Sequence, residues 1–378
     1  MMRPPLLVDS QGRVMRDLRV SVTDRCNFRC MYCLPETEAA ENFYRERWAT
    51  AVNPAPITRQ WQPKQNILTF EEIERVVRLA AGLGIQKIRI TGGEPLLRQN
   101  LERLIERLSR IEGIVDLAMT TNGFLFQQKA HALRNAGLQR VSFSCDSLDG
   151  ENFRRITGRD GLEELLASVR LARELGFAPV KVNAVIIRGI NDHEIESLAE
   201  FAVRESLVLR FIEFMPLDSG RAWQREMVVP GVEILRRLQA YGARTAESAR
   251  ADLVAEHADS AVRAPSTFEL QPVSGANKSE TAKRWHIGGS QAEIGIIAPV
   301  TEPFCGHCNR IRITADGKLR TCLFSVVEHD LRSRLRGGAN DEALCDYLHE
   351  VVGQKEDRHH IGEPDFKFAS RSMSCIGG

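Results

Sequence analysis

The 378-residue chain lacks any apolar run near the roughly 18 residues that a membrane-spanning helix needs. It also lacks an excess of either charge: 51 Lys and Arg stand against 50 Asp and Glu, a net of +1. A chain so balanced has no global field to gather nucleic acid or anionic membrane, so any basic site must be local. Met1–Val8 carry one Arg, two prolines and three consecutive large apolar residues, too little for a secretory leader. The expected address is the cytoplasm, where thiols stay reduced. No Walker loop is present, which argues against nucleotide hydrolysis. With 43% hydrophobic residues the chain can bury a core, which excludes wholesale disorder.

Cysteine is abundant. Six of the nine form two trios, Cys26, Cys30, Cys33 and Cys305, Cys308, Cys322; Cys145, Cys345 and Cys375 are scattered. An odd, clustered set in a long chain with reduced thiols points to metal ligation rather than to a disulfide framework.

From Leu18 to about Met215, short apolar runs alternate with helical patterns. The runs are Leu18–Val22, Lys87–Ile90, Val115–Thr120, Arg140–Ser144, Val180–Ile187 and Leu207–Phe211. Apolar residues recur at helical spacing from Ile73, from Leu162 and from Ile195. Thr69 with Glu72 forms a capping box, and Gly84, Gly137 and Gly176 stand where left-handed C-caps belong. Six β–α units predict a parallel sheet with right-handed crossovers, too few for a closed eight-stranded barrel. The expected fold is α/β, a partial, open TIM-type barrel over residues 1–240, followed by a C-terminal region over 241–378 that closes it. Chemistry in such folds collects at the carboxyl ends of the strands. Two stretches break the rhythm: 35–66 reads as an irregular insertion, and 244–283, rich in Ala, Glu, Ser and Pro, as a loosely structured surface insertion.

Cys26-x3-Cys30-x2-Cys33 places three thiolates within eight residues. Zinc normally wants four ligands closed in a tetrahedron, whereas a cubic four-iron cluster can be held by three thiolates with one iron open. Tyr32 stands where it can stack on a bound purine. Arg19, Lys87, Arg89 and Lys181 each interrupt an apolar strand; buried charges are costly unless paired, so several on one interior suggest a polyanion. Cys305-x2-Cys308-x13-Cys322 suits zinc as well as iron, with His307 or Cys345 as a fourth ligand.

The string from Asp17 to Cys33 (DLRVSVTDRCNFRCMYC) resembles the radical S-adenosylmethionine superfamily and, within it, the GTP 3′,8-cyclases of molybdenum-cofactor biosynthesis. Arg89–Pro95 (RITGGEP), Thr120–Gly123 (TTNG), Arg210–Met215 (RFIEFM) and the terminal glycines extend the likeness over most of the chain outside the two irregular stretches. The resemblance implies two [4Fe-4S] clusters, one on each trio, and S-adenosyl-L-methionine held by Tyr32, Gly93, Glu94, Ser144 and Met215. It implies GTP held by Arg19, Lys87, Arg89, Thr120, Lys181, Arg310 and Arg312. Arg310, Arg312, Gly377 and Gly378 would serve catalysis, and Cys145 and Cys375 would be bystanders. In the implied reaction a deoxyadenosyl radical takes hydrogen from C3′ of the ribose, and C3′ then bonds C8 of guanine. The implied partners are an external one-electron reductant, a downstream pterin-forming enzyme and a second copy in a homodimer, with neither nucleic acid nor membrane. The rivals are a peptide-modifying maturase with an auxiliary cluster, and an iron–sulfur carrier or zinc scaffold without catalysis.

Overall fold

The computed structural model describes residues 5–33, 61–217, 223–255, 268–274, 279–364, 366–368 and 371–377. Six strands follow chain order: β1 (Asp17–Ser21), β2 (Lys87–Thr91), β3 (Asp116–Thr121), β4 (Arg140–Ser144), β5 (Lys181–Ile186) and β6 (Val208–Glu213). Helices α1 (Phe70–Gly82), α2 (Leu101–Ser109), α3 (Phe126–Asn135), α4 (Gly150–Thr157), α5 (Leu162–Glu174) and α6 (Ile195–Arg204) fill the crossovers. Helix α1 begins at the expected capping box, with Glu72 N donating to Thr69 Oγ1 and Thr69 N to Glu72 Oε2. Gly84 carries φ of +104° and Gly137 +101°, a backbone that a Cβ would strain, which is why the chain can leave α1 and α3 so sharply.

After α7 (Gly231–Ala255) come β7 (Leu270–Pro272), β8 (Lys283–Ile287), β9 (Glu293–Ile297), β10 (Arg310–Ile313), β11 (Lys318–Arg320) and β12 (His329–Asp330), then α8 (Leu331–Arg336), α9 (Asp341–Gly353) and α10 (Met373–Ile376). Among the described residues all twelve strands share one sheet, ordered β12-β11-β10-β1-β2-β3-β4-β5-β6-β9-β8-β7. The later chain thus joins both edges: β10 lies parallel to β1, and β9 parallel to β6. The six-strand expectation holds for the first part of the chain. The two parallel strands supplied from the C-terminal side were not anticipated as strands of the same sheet. The sheet stays open, with β12 and β7 at its edges. Residue 240, where the sequence reading divides the chain, falls inside α7.

The surface insertion expected from 244 starts differently. Its first part continues α7 as far as Ala255, because Ala, Glu, Arg and Leu are strong helix formers even without a clear apolar stripe. Residues 256–267 and 275–278 lie outside the described residues, as do 35–60 of the expected irregular insertion. That insertion returns through a single 3-10 turn, Lys64–Asn66, after Gln62 N donates to Asp24 Oδ2 at 2.7 Å.

The strands have two unlike faces. Leu18, Val20, Ile88, Ile90, Ile311 and Ile313 are buried in the apolar core, while their neighbours Arg19, Arg89, Arg310 and Arg312 point the other way by the period-two rule. Registry sets Arg19 beside Arg89 on one side and Arg312 on the other.

Candidate active site

Cys26, Cys30 and Cys33 occupy the loop after β1, at the carboxyl ends of the parallel strands. No disulfide ties any of the nine cysteines. Cys26 Sγ accepts from Phe28 N at 3.4 Å and from Asn122 Nδ2 at 3.9 Å. Burial pushes the Cys26 thiol up to about 11, with Glu94 adding to the rise, and pushes Cys30 well above its usual range, where the charges of Cys26 and Cys33 add to it. Thiols held protonated in this way need a cationic centre to become thiolates. Among the described residues no three His, Cys, Asp or Glu side chains gather closely enough to close around a metal ion. A cluster held at three corners puts each sulfur on its own iron and does not ask for that convergence. Both the spacing and the chemistry of the trio fit the cluster.

Gly92 and Gly93 follow β2. Two adjacent glycines give a neighbouring group close access to the backbone. What approaches is the chain itself: a Cβ on Gly92 would meet the Thr23 carbonyl at 2.8 Å, and one on Gly93 would collide with that of Arg25. Gly93 N donates to Thr23 O and Glu94 N to Arg25 O, both at 2.7 Å, so the glycines dock the β2 loop onto the cysteine loop. Glu94 is buried and accepts from Leu96 N (3.0 Å), Thr121 Oγ1 (2.7 Å) and Asn122 N (2.8 Å). Burial raises its carboxyl to about 7. It ties the β2 loop to the β3 loop and so sets the Asn122 amide on Cys26. Tyr32 packs edge-on to Phe214, centroids 6.5 Å apart, and donates to Asp146 Oδ2 at 2.6 Å. Ser144 ends β4 in register with Asn183, and Met215 follows β6, packed against Leu217, Phe324 and Ile376.

The polar face lines a pocket that opens to solvent and holds about 770 Å³ of empty space, bordered by Asp17, Arg19, Lys87, Arg89, Arg140, Lys181, Arg210, Glu280 and Arg310. The expected cations are gathered there, with Thr120 Oγ1 3.5 Å from Arg89 Nη1. Arg140 and Arg210 were missed. Arg140 pairs with Asp116, Nε to Oδ1 at 2.8 Å. Arg210 interrupts its apolar strand just as Arg19 and Arg89 do, so the same alternation test would have found it. The Nε atoms of Arg19, Arg89 and Arg210 and Oδ1 of Asn183 are buried without a hydrogen-bond partner among the described residues. Burial, with repulsion from Arg210, Arg140 and Arg89, brings Lys181 down to about 7; burial and Arg89 bring Arg210 to about 10. Crowded, desolvated cations with idle donors ask for a multiply charged anion.

The second trio lies at the opposite end of the strands. Cys305 and Cys308 precede β10, and β11 runs back antiparallel to deliver Cys322. Arg310 Nη2 donates to Cys308 Sγ at 3.3 Å. Lys355, buried and unnoticed in the sequence, donates to the carbonyls of Arg310 (3.0 Å) and Thr321. Arg13 spans Cys305 O (2.8 Å), Asp357 O (2.9 Å) and Glu356 O (2.5 Å). Burial alone would raise the Cys308 thiol; Arg310 and Lys355 outweigh it and bring it to about 7. Cys345, weighed as a fourth ligand, lies on α9, half-buried against the apolar core. Cys145 is buried in that core, where it packs as a small apolar side chain.

The tail enters the barrel. The Gly377 carbonyl accepts from Arg312 Nη1, and a Cβ there would meet Thr91 Oγ1 at 2.8 Å and Ser21 Cβ at 3.1 Å. With φ of +79° as well, the position excludes any side chain. Gly378 lies outside the described residues.

Comparison with known proteins follows the same outline. Residues 20–202 match the Radical SAM superfamily and residues 246–361 match Molybdenum Cofactor Synthesis C. A GTP 3′,8-cyclase of Rhodopirellula baltica is 40% identical, the alignment covering 99% of this chain and 93% of that protein. One of Streptomyces coelicolor is 39% identical over 99% and 96%. Among solved structures, Streptococcus suis SuiB bound to S-adenosylmethionine aligns with a TM-score of 0.53 at 13% identity, over 91% of this chain and 69% of that one. The anSMEcpe structure with bound AdoMet also aligns at 0.53 and 13%, over 97% and 93%. At such identities the structures speak for the fold alone. No helix among the described residues is long and apolar enough to cross a membrane.

Proposed function

This chain belongs to the GTP 3′,8-cyclase family within the radical S-adenosylmethionine superfamily, and we propose that it converts GTP to (8S)-3′,8-cyclo-7,8-dihydroguanosine 5′-triphosphate, the first step of molybdenum-cofactor biosynthesis. The observation that carries this reading is the row Arg312–Arg19–Arg89 above a cation-lined cavity, set between two cysteine trios at opposite strand ends. S-adenosylmethionine and its cluster, when bound, supply one-electron cleavage of a sulfonium and with it a hydrogen-abstracting radical.

The protein's share is orientation. Arg19, Lys87, Arg89, Lys181 and Arg210 hold the triphosphate, with Thr120 beside Arg89. Arg310 and Arg312 reach from β10 toward the nucleotide. At the other mouth Tyr32, Gly93, Glu94, Ser144 and Met215 shape the S-adenosylmethionine pocket, so that one ribose hydrogen among several is presented. Gly377 closes the chamber to water, and Gly378, outside the described residues, is read as serving the reaction with it. The cysteines of the first trio hold the cluster that works with S-adenosylmethionine, and those of the second hold the cluster on the substrate side. An external one-electron reductant, a pterin-forming enzyme acting next and a homodimer complete the reading.

The test is anaerobic incubation of the reconstituted protein with S-adenosylmethionine, a strong reductant and GTP labelled at C3′, followed by product identification. Label in deoxyadenosine together with the cyclised triphosphate supports the cyclase. Deoxyadenosine without label favours the peptide-modifying alternative.

A further inference from the structure

We propose that Arg371 is a latch that seats the C-terminal tail: by gripping Asp316 and Glu328 it holds Gly377 inside the barrel mouth. The proposal rests on the reading above that the terminal glycines serve the reaction. Residues Ser372–Gly378 carry no large charged or aromatic side chain to anchor them. What holds them is set further back. Arg371 Nη2 donates to Asp316 Oδ1 at 3.0 Å, and Nη1 to Asp316 Oδ2 at 3.3 Å and to Glu328 Oε2 at 3.0 Å. The grip on Asp316 is two-pronged, a geometry that a guanidinium offers and an ammonium does not.

The receiving carboxylates are themselves fixed. Asp316 Oδ1 accepts from Thr314 Oγ1 at 2.7 Å in the turn between β10 and β11. The second oxygen of Glu328 is held at 2.6 Å by Arg320 on β11, whose side chain is 2% exposed. The same hairpin carries Arg312, which donates to the Gly377 carbonyl. The tail is therefore gripped twice by one hairpin, at Arg371 and at Gly377. Between the grips α10 makes one turn and buries Ile376 against Leu217 and Phe324. Without Arg371 the chain end would rely chiefly on the Gly377 hydrogen bond and the apolar side chains of Met373 and Ile376 to oppose its conformational freedom. Arg371 acts through the tail and touches no reacting atom, so its role is positioning.

The test uses anaerobically reconstituted full-length protein in four forms: wild type, Arg371→Met, Arg371→Lys, and a chain ending at Ile376. Amide hydrogen exchange of the C-terminal peptide, iron per chain, and the ratio of cyclised product to deoxyadenosine are measured. For Arg371→Met the expected results are exchange at least tenfold faster in that peptide, unchanged iron, and a product ratio reduced at least tenfold toward that of the shortened chain. Arg371→Lys should lie between. Exchange at the wild-type rate overturns the latch, and so does faster exchange accompanied by iron loss, which would make the network a fold staple. A shortened chain that keeps the wild-type product ratio overturns the tail's role in the reaction, while faster exchange in Arg371→Met would still establish the latch.

Discussion

The two cysteine trios present the same three thiols to opposite electrostatic settings. Around the first, Cys26 accepts from a backbone N–H and an amide, Glu94 is hydrogen-bonded to that amide's backbone N–H, and Asp146 is hydrogen-bonded to Tyr32. Around the second, a guanidinium bonds Cys308, Lys355 is buried beside it, and Arg13 braces the backbone of Cys305, so that cations lower Cys308 even though Glu356 adds negative charge beside Cys322. Charge and hydrogen bonds around the sulfurs are the protein's levers on a cluster's potential. A setting with carboxylates makes an added electron costly, which suits a centre that must give it away to a sulfonium. A setting with cations stabilises added negative charge, which suits a centre facing a substrate. Each trio supplies three thiols, at different spacings; the proposed division of labour comes from what packs around them.

The largest effects test that division directly. Cys26→Ala should halve the iron and bring deoxyadenosine formation to background. Cys305→Ala should also halve the iron, but leave deoxyadenosine formation while the cyclised product disappears. Iron analysis and chromatography of both products decide it, and equal loss of both activities in both variants breaks the comparison.

Next comes the cationic collar. A unit charge roughly 8 Å away at an effective dielectric near 20 is worth about 2 kcal/mol, or roughly 30-fold in an equilibrium. Lys355→Met should therefore make the second cluster about that much harder to reduce at a fixed potential and leave the first unmoved. Potentiometric titration followed by electron paramagnetic resonance reads both, and Lys355→Arg should restore most of the shift. A shift in the first cluster alone would reverse the assignment.

A smaller effect probes whether the second trio and the polyanion site share one chamber, as Arg310 on the wall of both suggests. Lys181 without ligand loses its proton near pH 7, because burial and three arginines oppose its charge. A bound triphosphate restores the proton, so binding takes one up. GTP affinity should then fall as pH rises above about 7, by up to tenfold per unit, until the pKa of the bound form is passed. Titration of GTP itself gives the opposite trend at lower pH, so Lys181→Met is the control. It should weaken binding roughly tenfold at pH 7 and remove the falling limb. Calorimetry in two buffers of different ionisation heat measures the proton uptake.

Much of this site was legible in the sequence, and what was not has physical reasons. Alternation exposed Arg19, Lys87, Arg89 and Lys181, because a charged residue in an apolar strand contradicts its surroundings. Arg210 obeys the same rule and went unread. The resemblance marks Gly93 as a ligand contact, but the group that approaches its backbone, the Arg25 carbonyl, belongs to a different loop and leaves no mark nearby in the chain. Lys355 and Arg13 gave no signal at all: one sits in an ordinary polar stretch and the other in a short N-terminal turn. Their meaning arises from packing, with Arg13 reaching Cys305 across 292 positions. The strands β9 and β10 were missed as sheet members because their parallel partners, β6 and β1, lie far back in the chain.

The smallest expected effect belongs to the first trio's acidic side. Burial raises Asp146 to about 6, and the Tyr32 hydroxyl and Val185 N hold it there against a further rise. A carboxyl whose folded pKa exceeds its unfolded value binds more protons when folded, so its contribution to stability declines as pH climbs from about 4 to about 6. Tyr32→Phe removes one donor, raises the folded value further, and carries that decline to higher pH. The variant should lose about 1–2 kcal/mol at pH 8, where the carboxylate must be charged, and less at pH 5.5, where it can take a proton. Thermal unfolding of wild type and variant at the two pH values, at matched iron content, measures the difference. A loss independent of pH would mean that the hydroxyl serves packing rather than the carboxylate, and the acidic character of the first trio's setting would rest on Glu94 alone.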